Sequence, residues 1–175
     1  MALFRIVRGA PLPAAEAWRR LTDWHAHAAL VPLTRATAVT AGPVRTGSRF
    51  TMRTGIGPVG FDDPMEVVHC VPPGAGGAGD DGPEAGGPDA GRPGAGGLEA
   101  GRPEAGTGVC RLEKRGRVIT GWAEIEVRPT APGAVRVTWT EEVRVRGLPR
   151  MCDAVVARAG RLLFGRALSG LLADN

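Results

Sequence analysis

The segment RVTWTEEVRVR (136–146) places one carboxylate among apolar side chains. Side chains alternate between the two faces of a β-strand, so Glu141 shares its face with the apolar Val137 and Trp139. A carboxylate in an apolar interior has its pKa raised unless it is paired, and such a group suits general acid or base catalysis. Glu141 is therefore a candidate catalytic or ligand-contacting residue. The structural alternatives are an ion pair with an arginine and a position at the rim of the interior.

Two histidines are further candidates for proton transfer. His27 lies in the helical segment TDWHAHAAL, and His69 lies in VGFDDPMEVVHCV, where it keeps the same alternation as Val67. Pro64 cannot donate a backbone hydrogen bond, so it should mark a bulge or an edge of this strand. Asp63, next to it, is expected to be a turn or bulge residue. For each histidine the structural alternative is a hydrogen-bonded group in the core or at the surface.

Three large side chains are predicted to form the wall of a ligand site. Trp139 lies on the inward face of its strand and is rigid enough to stack on a flat ligand. Phe61 and Met65 share one face of the strand that carries Asp63. Simple core packing is the structural alternative for Trp139.

The sequence predicts no metal site and no cofactor. His25 and His27 are two residues apart, whereas two ligands on one helix face need a spacing of four. The three cysteines, Cys70, Cys110 and Cys152, are widely separated and form no CxxC motif, which disfavours both a zinc site and a disulfide framework. No GxSxG, P-loop, GxGxxG or HExxH motif is present.

The charge distribution bears on the possible partners. The formal net charge is +4, and residues 73–107 hold six acids and two bases, so the rest of the chain carries +8. Nucleic acid is nevertheless disfavoured as a partner, because no aromatic ladder and no known motif accompanies the arginines.

No apolar run is long enough for a membrane span, and arginines interrupt the N-terminal apolar stretch, so a cytoplasmic location is expected. The sequence carries no signal for an oligomeric state.

The chain is predicted to form a single domain over residues 1–175, with one insertion. Residues 73–107 consist mainly of Gly, Pro, Ala and acids and contain one large apolar residue, Leu98. Such a segment cannot bury enough apolar surface to offset the entropy of ordering, so it should be a disordered insertion between two strands.

Hydrophobic periodicity and turn residues predict the order of the elements. A first strand over 3–8 precedes two short helices within 11–33, and a run of strands leads to a long amphipathic helix within 148–175. The intervening strands are expected over 36–40, 48–54, 59–71, 109–116, 120–128 and 134–145. The apolar stripe of the last helix comprises Met151, Val155, Ala159, Leu162, Leu163, Ala167 and Leu171.

This order resembles the helix-grip fold of the SRPBCC superfamily, which includes START-type, Bet v 1-like and polyketide cyclase/dehydrase-like proteins. The resemblance rests on AEAWRRLTDWHAHAALVPLT (15–34), GFDDPMEVVHCVPP (60–73) and VRVTWTEEV (135–143), followed by the long helix. It implies an α+β fold in which a curved antiparallel β-sheet wraps around the C-terminal helix, with two short helices after strand 1. It also implies a hydrophobic cavity between sheet and helix, with His27 near its opening.

Two functions are compatible with such a cavity. The first is binding or carrying a small hydrophobic molecule, lipid-like or polyketide-like, with Trp139, Glu141, His27, Phe61 and Met65 in contact with it. The alternative is a cyclase, aromatase or dehydratase that uses Glu141 with His27 or His69 as an acid–base pair. The fold alone does not distinguish a binder from an enzyme.

Overall fold

The computed structural model describes residues 1–56, 58–74 and 106–173, and within these ranges it contains seven strands and three α-helices. The first part of the chain comprises β1 (Ala2–Ala10), α1 (Ala14–Leu21), α2 (Trp24–Leu30), β2 (Thr34–Val39), β3 (Arg49–Ile56) and β4 (Val59–Val71). The second part comprises β5 (Gly108–Arg115), β6 (Ile119–Ala131), β7 (Ala134–Val145), a short 3₁₀ turn (Arg150–Cys152) and α3 (Asp153–Leu172). The predicted order of elements is confirmed.

All seven strands form one antiparallel sheet in the order β1-β7-β6-β5-β4-β3-β2. Consecutive strands from β2 to β7 are neighbours, and β1 adds to the free edge of β7. The sheet curves around α3, which packs mainly against β1. The predicted α+β class, with a sheet that grips a long C-terminal helix, is confirmed.

The core lies on the concave face of the sheet. In β1 the alternation places Phe4 and Ile6 inside, and in β7 it places Val135 and Val137 inside. Each large apolar side chain removed from water in this way contributes roughly 1.5–3 kcal/mol. The alternation therefore fixes which face of each strand can supply a binding site.

The helix α2 is oriented by its N-terminal cap. The side chain of Asp23 accepts hydrogen bonds from the backbone amides of His25 and Ala26, both at 3.0 Å, as its position before the helix predicts. The helix then presents Trp24, His27 and Ala28 to the interior. His27 is buried for this reason.

Only the second half of α3 packs as the sequence predicts. Ala167, Leu168 and Leu171 are buried, whereas Val155 and Leu162 are largely exposed. The prediction of one continuous buried stripe, which began at Met151, is therefore wrong for the first half of the helix. That half lines an open cavity, and it contacts the sheet where Gly160 packs against the ring of Phe4.

The strand β4 contains a bulge at a position that the sequence did not indicate. Its pairing with β3 is regular through Pro64, but its pairing with β5 shifts by one residue between Val67 and His69. The shift reverses the alternation, so Val67 is fully buried and His69 is exposed. The predicted inward orientation of His69 is wrong for this reason. Asp63, which precedes Pro64, lies in regular strand and points inward.

Most of the predicted insertion, residues 75–105, lies outside the described residues. On either side of it, β4 and β5 are directly paired, with Val71 opposite Val109 and Cys70 opposite Cys110. The two strands therefore need only a short connection.

Deleting residues 75–105 should leave the domain folded, since the deletion would join Gly74 to Gly106 beside strand ends that are already paired. We expect the deletion variant to unfold cooperatively on heating. We also expect its far-UV circular dichroism spectrum to show the same strand and helix content for the remaining residues as in the full chain. Loss of soluble, cooperatively folding protein would show that the segment is part of the folded domain.

Candidate functional site

A cavity of about 510 Å³ lies between the concave face of the sheet, α2 and the first half of α3. Phe61 and Met65 of β4 and Leu112 of β5 form part of its floor. Ala159 and Leu163 of α3 form part of its roof. Most lining side chains are apolar, as in sites that bind small organic molecules.

A row of six rings forms one wall of the cavity. The order is Phe50, Trp24, His27, Trp139, Phe164 and Phe4. Successive ring centroids lie 4.2 to 5.9 Å apart, and the Trp24–Phe50 and Trp139–Phe164 pairs are stacked. The row offers a continuous aromatic surface to a flat or elongated ligand.

His27 is buried within this row and is neutral at physiological pH. Its Nε2 lies 2.8 Å from the carbonyl oxygen of Leu21, so Nε2 carries the hydrogen and Nδ1 is a bare acceptor. Burial lowers the pKa of His27 to about 4, and the Leu21 carbonyl and the charge of Asp23 offset part of this effect. Among the described residues, no hydrogen bond reaches Nδ1. His27 can therefore accept a hydrogen bond from a ligand.

A buried lysine connects two buried carboxylates in the floor of the cavity. Lys114 Nζ lies 3.3 Å from Asp63 Oδ2 and 3.2 Å from Glu141 Oε1. The indole Nε1 of Trp139 donates to Glu141 Oε2 at 2.9 Å. All three charged side chains are at most 8% exposed. Glu141 thus faces inward, as its alternation predicts, and its partner is a lysine.

Small residues on β6 allow this cluster to form. Lys114 on β5 and Glu141 on β7 are separated by β6, which presents Gly121 and Ala123 between them. Two strand spacings amount to roughly 10 Å, a span that Lys114 can bridge only where no large side chain intervenes. Gly121 has φ of 137°, and a Cβ there would lie 2.0 Å from the carbonyl oxygen of Glu142. Glycine is therefore required at this position.

The charges of the cluster are only partly balanced. Burial acts to lower the pKa of Lys114, but the charges of Glu141 and Asp63 outweigh it and raise that pKa, so Lys114 is an ammonium ion. Burial raises the pKa of Asp63 despite the nearby ammonium group. Asp63 Oδ1 is buried and has no hydrogen-bond partner within the described residues. Asp63 therefore keeps a proton more readily than an exposed aspartate does.

The structure brings together five of the six residues proposed from the sequence. Glu141, His27, Trp139, Phe61 and Met65 all line the cavity. The sixth, His69, is on the opposite face of the sheet, because of the bulge in β4.

Sequence reasoning missed Lys114 and the inward position of Asp63. A signal for Lys114 was present, because it is the only lysine in the chain and shares the alternation of the buried Cys110 and Leu112. A signal for Asp63 was also present, because it alternates with Phe61 and Met65, but the bulge expected at Pro64 outweighed it. The pairing with β3 is in fact regular through Pro64.

The described residues also bear on metal binding and on membrane crossing. In residues 1–56, 58–74 and 106–173, no group of three or more His, Cys, Asp or Glu side chains is arranged to hold a metal ion. In the same part of the chain, no helix combines the length and the apolar character needed to cross a membrane.

Solved structures share this architecture. Protein CV1439 from Chromobacterium violaceum matches with a TM-score of 0.60 and 13% identity, over 98% of this chain and 96% of that one. A START superfamily protein from Mycobacterium smegmatis matches with a TM-score of 0.54 and 12% identity, over 98% and 97% of the chains. The chain has the helix-grip fold. The predicted resemblance is confirmed at this level.

A third solved structure with this architecture is Zhui aromatase/cyclase from a Streptomyces species, which matches with a TM-score of 0.55 and 10% identity, over 97% of this chain and 90% of that one. No protein-family model and no curated protein matches the sequence. At identities this low, the similarity shows the fold alone.

The buried, neutral His27 should make stability depend on pH. The pKa of His27 is lower in the folded state than in the unfolded state, where it is near 6.5. The contribution of His27 to the free energy of unfolding is therefore fully present above about pH 6.5 and is lost as the pH falls towards about 4. The loss should amount to about 3 kcal/mol. We expect His27→Gln, which keeps a donor for Leu21, to show a weaker decrease in unfolding free energy between about pH 7 and pH 4 in urea titrations.

His25→Gln is the matched control, because His25 is on the same helix but exposed. It should keep the pH dependence of the wild type. Equal pH dependence in the wild type and His27→Gln would contradict the assignment of a buried neutral imidazole.

Proposed function

We propose that this helix-grip protein binds or carries a small hydrophobic molecule in the cavity between the sheet and α3. The observation that supports this function best is the cavity of about 510 Å³ with its wall of six rings. Burying apolar ligand surface against such a wall contributes about 25 cal/mol per Å² before the entropic costs of association are subtracted. A lipid-like or polyketide-like molecule has the required apolar character.

A few polar groups would orient the ligand. His27 Nδ1 can accept a hydrogen bond from a hydroxyl group. The Lys114 ammonium group donates to two carboxylates, and its remaining contact is a weak one to Met65 Sδ at 3.9 Å. A ligand carbonyl oxygen could replace the Met65 contact with a stronger hydrogen bond. This arrangement favours an apolar molecule with one oxygen function at its buried end.

Filling the cavity should weaken binding without unfolding the protein. Ala159 on α3 lines the cavity yet is exposed, so Ala159→Trp would place an indole in the open space. We expect the affinity for the neutral fluorescent dye Nile red to fall by at least about tenfold, or about 1.4 kcal/mol. Dye fluorescence titrations would measure this, and native mass spectrometry of the purified wild type would show whether a molecule is retained.

Ala154→Trp is the matched control, since Ala154 is exposed on the same helix but does not line the cavity. It should bind the dye like the wild type. Saturable dye binding that survives Ala159→Trp unchanged would locate binding elsewhere and refute the proposal.

The Asp63–Lys114–Glu141 cluster supports a second candidate function, that of a cyclase, aromatase or dehydratase. The Lys114 ammonium could stabilise negative charge on a ketone oxygen, while Glu141 or His27 takes a proton from the adjacent carbon. Asp63, with its raised pKa, could return a proton to a departing hydroxyl group. The aromatase/cyclase among the structural neighbours is compatible with this chemistry.

Replacing Glu141 by Gln would separate the two functions, because it removes the charge and largely keeps the shape. For an enzyme, the rate of cyclisation of a linear triketone, followed by mass spectrometry as loss of water, should fall by about 10²-fold or more. Nile red affinity should stay within about threefold of the wild type. Glu142→Gln, on the opposite face of β7, is the control and should keep the wild-type rate. A wild-type rate equal to that without protein would argue against catalysis on this substrate class.

A further inference from the structure

A second cleft, of about 710 Å³, lies at the end of the sheet where α3 begins. Four arginines line it: Arg117 from the turn between β5 and β6, Arg144 and Arg146 from the end of β7, and Arg150 from the 3₁₀ turn. All four are exposed. We refer to it as the arginine cleft.

The four arginines have no partners within the described part of the chain. None of their side chains makes a hydrogen bond or an ion pair there. The one acid in the cleft, Asp153, is bound to the N-terminal amine of Met1. Of the other arginines, six are paired with carboxylates: Arg19, Arg20, Arg49, Arg53, Arg111 and Arg115. Unpaired like charges around one concave surface concentrate positive potential, which favours an anion.

The arginine cleft adjoins the cavity. Val143 and Val145 of β7 and Val156 of α3 line both of them. A molecule with its apolar part in the cavity can therefore extend past these valines into the cleft.

The charges inside the cavity determine which end of such a molecule would be inside. The cavity holds two carboxyl groups and one ammonium group, with a neutral histidine, so it disfavours an anion. The cleft at its opening holds guanidinium groups, which bind phosphate and carboxylate oxygens in bidentate fashion. The two regions together favour a ligand whose apolar part lies inside the cavity and whose anionic group lies at the opening.

We propose that the arginine cleft binds the anionic group of an amphipathic ligand, a phosphate or a carboxylate, whose apolar body occupies the cavity. This inference rests on the proposed binding function and names the class of its ligand. The anion would be bound at the surface, near Arg117 and Arg150, and the cavity would enclose the apolar part.

The test compares three twelve-carbon probes that differ only in the end group: dodecanol, dodecyl phosphate and dodecanoate. Each competes with Nile red for the protein at low ionic strength and below the concentration at which the probe forms micelles. We expect at least one of the anions to bind about tenfold more tightly than dodecanol, and the comparison of the two anions shows which group the cleft prefers.

The variant Arg117→Gln/Arg150→Gln should remove most of this difference and leave dodecanol affinity unchanged. The control Arg5→Gln/Arg136→Gln changes the net charge equally at exposed positions outside the cleft, and it should keep the preference. Equal affinity of all three probes for the wild type, or equal loss of anion affinity in both variants, would overturn the inference while leaving cavity binding intact. Failure of dodecanol and both anions to displace the dye would overturn the inference together with the binding of alkyl ligands in the cavity.

Discussion

The ion pairs of Lys114 with Asp63 and Glu141 are the constraint on which the site depends. Removing a charged group from water costs several kcal/mol, so each member of the cluster is tolerated only because the others are present. Taking away one partner of a buried pair typically costs about 3–5 kcal/mol. Four consecutive strands, β4 to β7, must therefore hold their register for the cavity floor to exist. The aromatic wall is anchored to this floor through the hydrogen bond from Trp139 to Glu141.

This polar floor lies within a cavity that is otherwise apolar, and the contrast defines what the protein can accommodate. The first half of α3 borders the cavity, where side chains do not fill the space between helix and sheet. The arginines at the opening are positively charged, whereas the cavity holds two carboxyl groups and one ammonium group. A ligand would thus meet three environments in sequence: positive at the surface, aromatic along the wall, and hydrogen-bonding at the floor.

Much of the fold and part of the site could be predicted from the sequence. Strict alternation identified the interior face of β7, so Glu141 and Trp139 were placed correctly from local pattern alone. His69 was misplaced because a bulge is set by the pairing of β4 with β5, which local alternation does not reveal. Lys114 was missed because its partners come from two other strands, and only the assembled sheet shows that a basic side chain can be satisfied inside.

The glycine on β6 has a consequence for the history of the protein. A Cβ at Gly121 would collide with the backbone carbonyl oxygen of Glu142, so a lineage that gained a side chain there would have to shift β6 against β7. Lys114 and Glu141 would then lose the register that brings their side chains together. Related chains should therefore divide into two groups, those that keep the glycine together with both charges and those with an entirely apolar floor. The presence or absence of glycine at position 121 would then indicate whether the cavity floor of a related protein is charged or apolar.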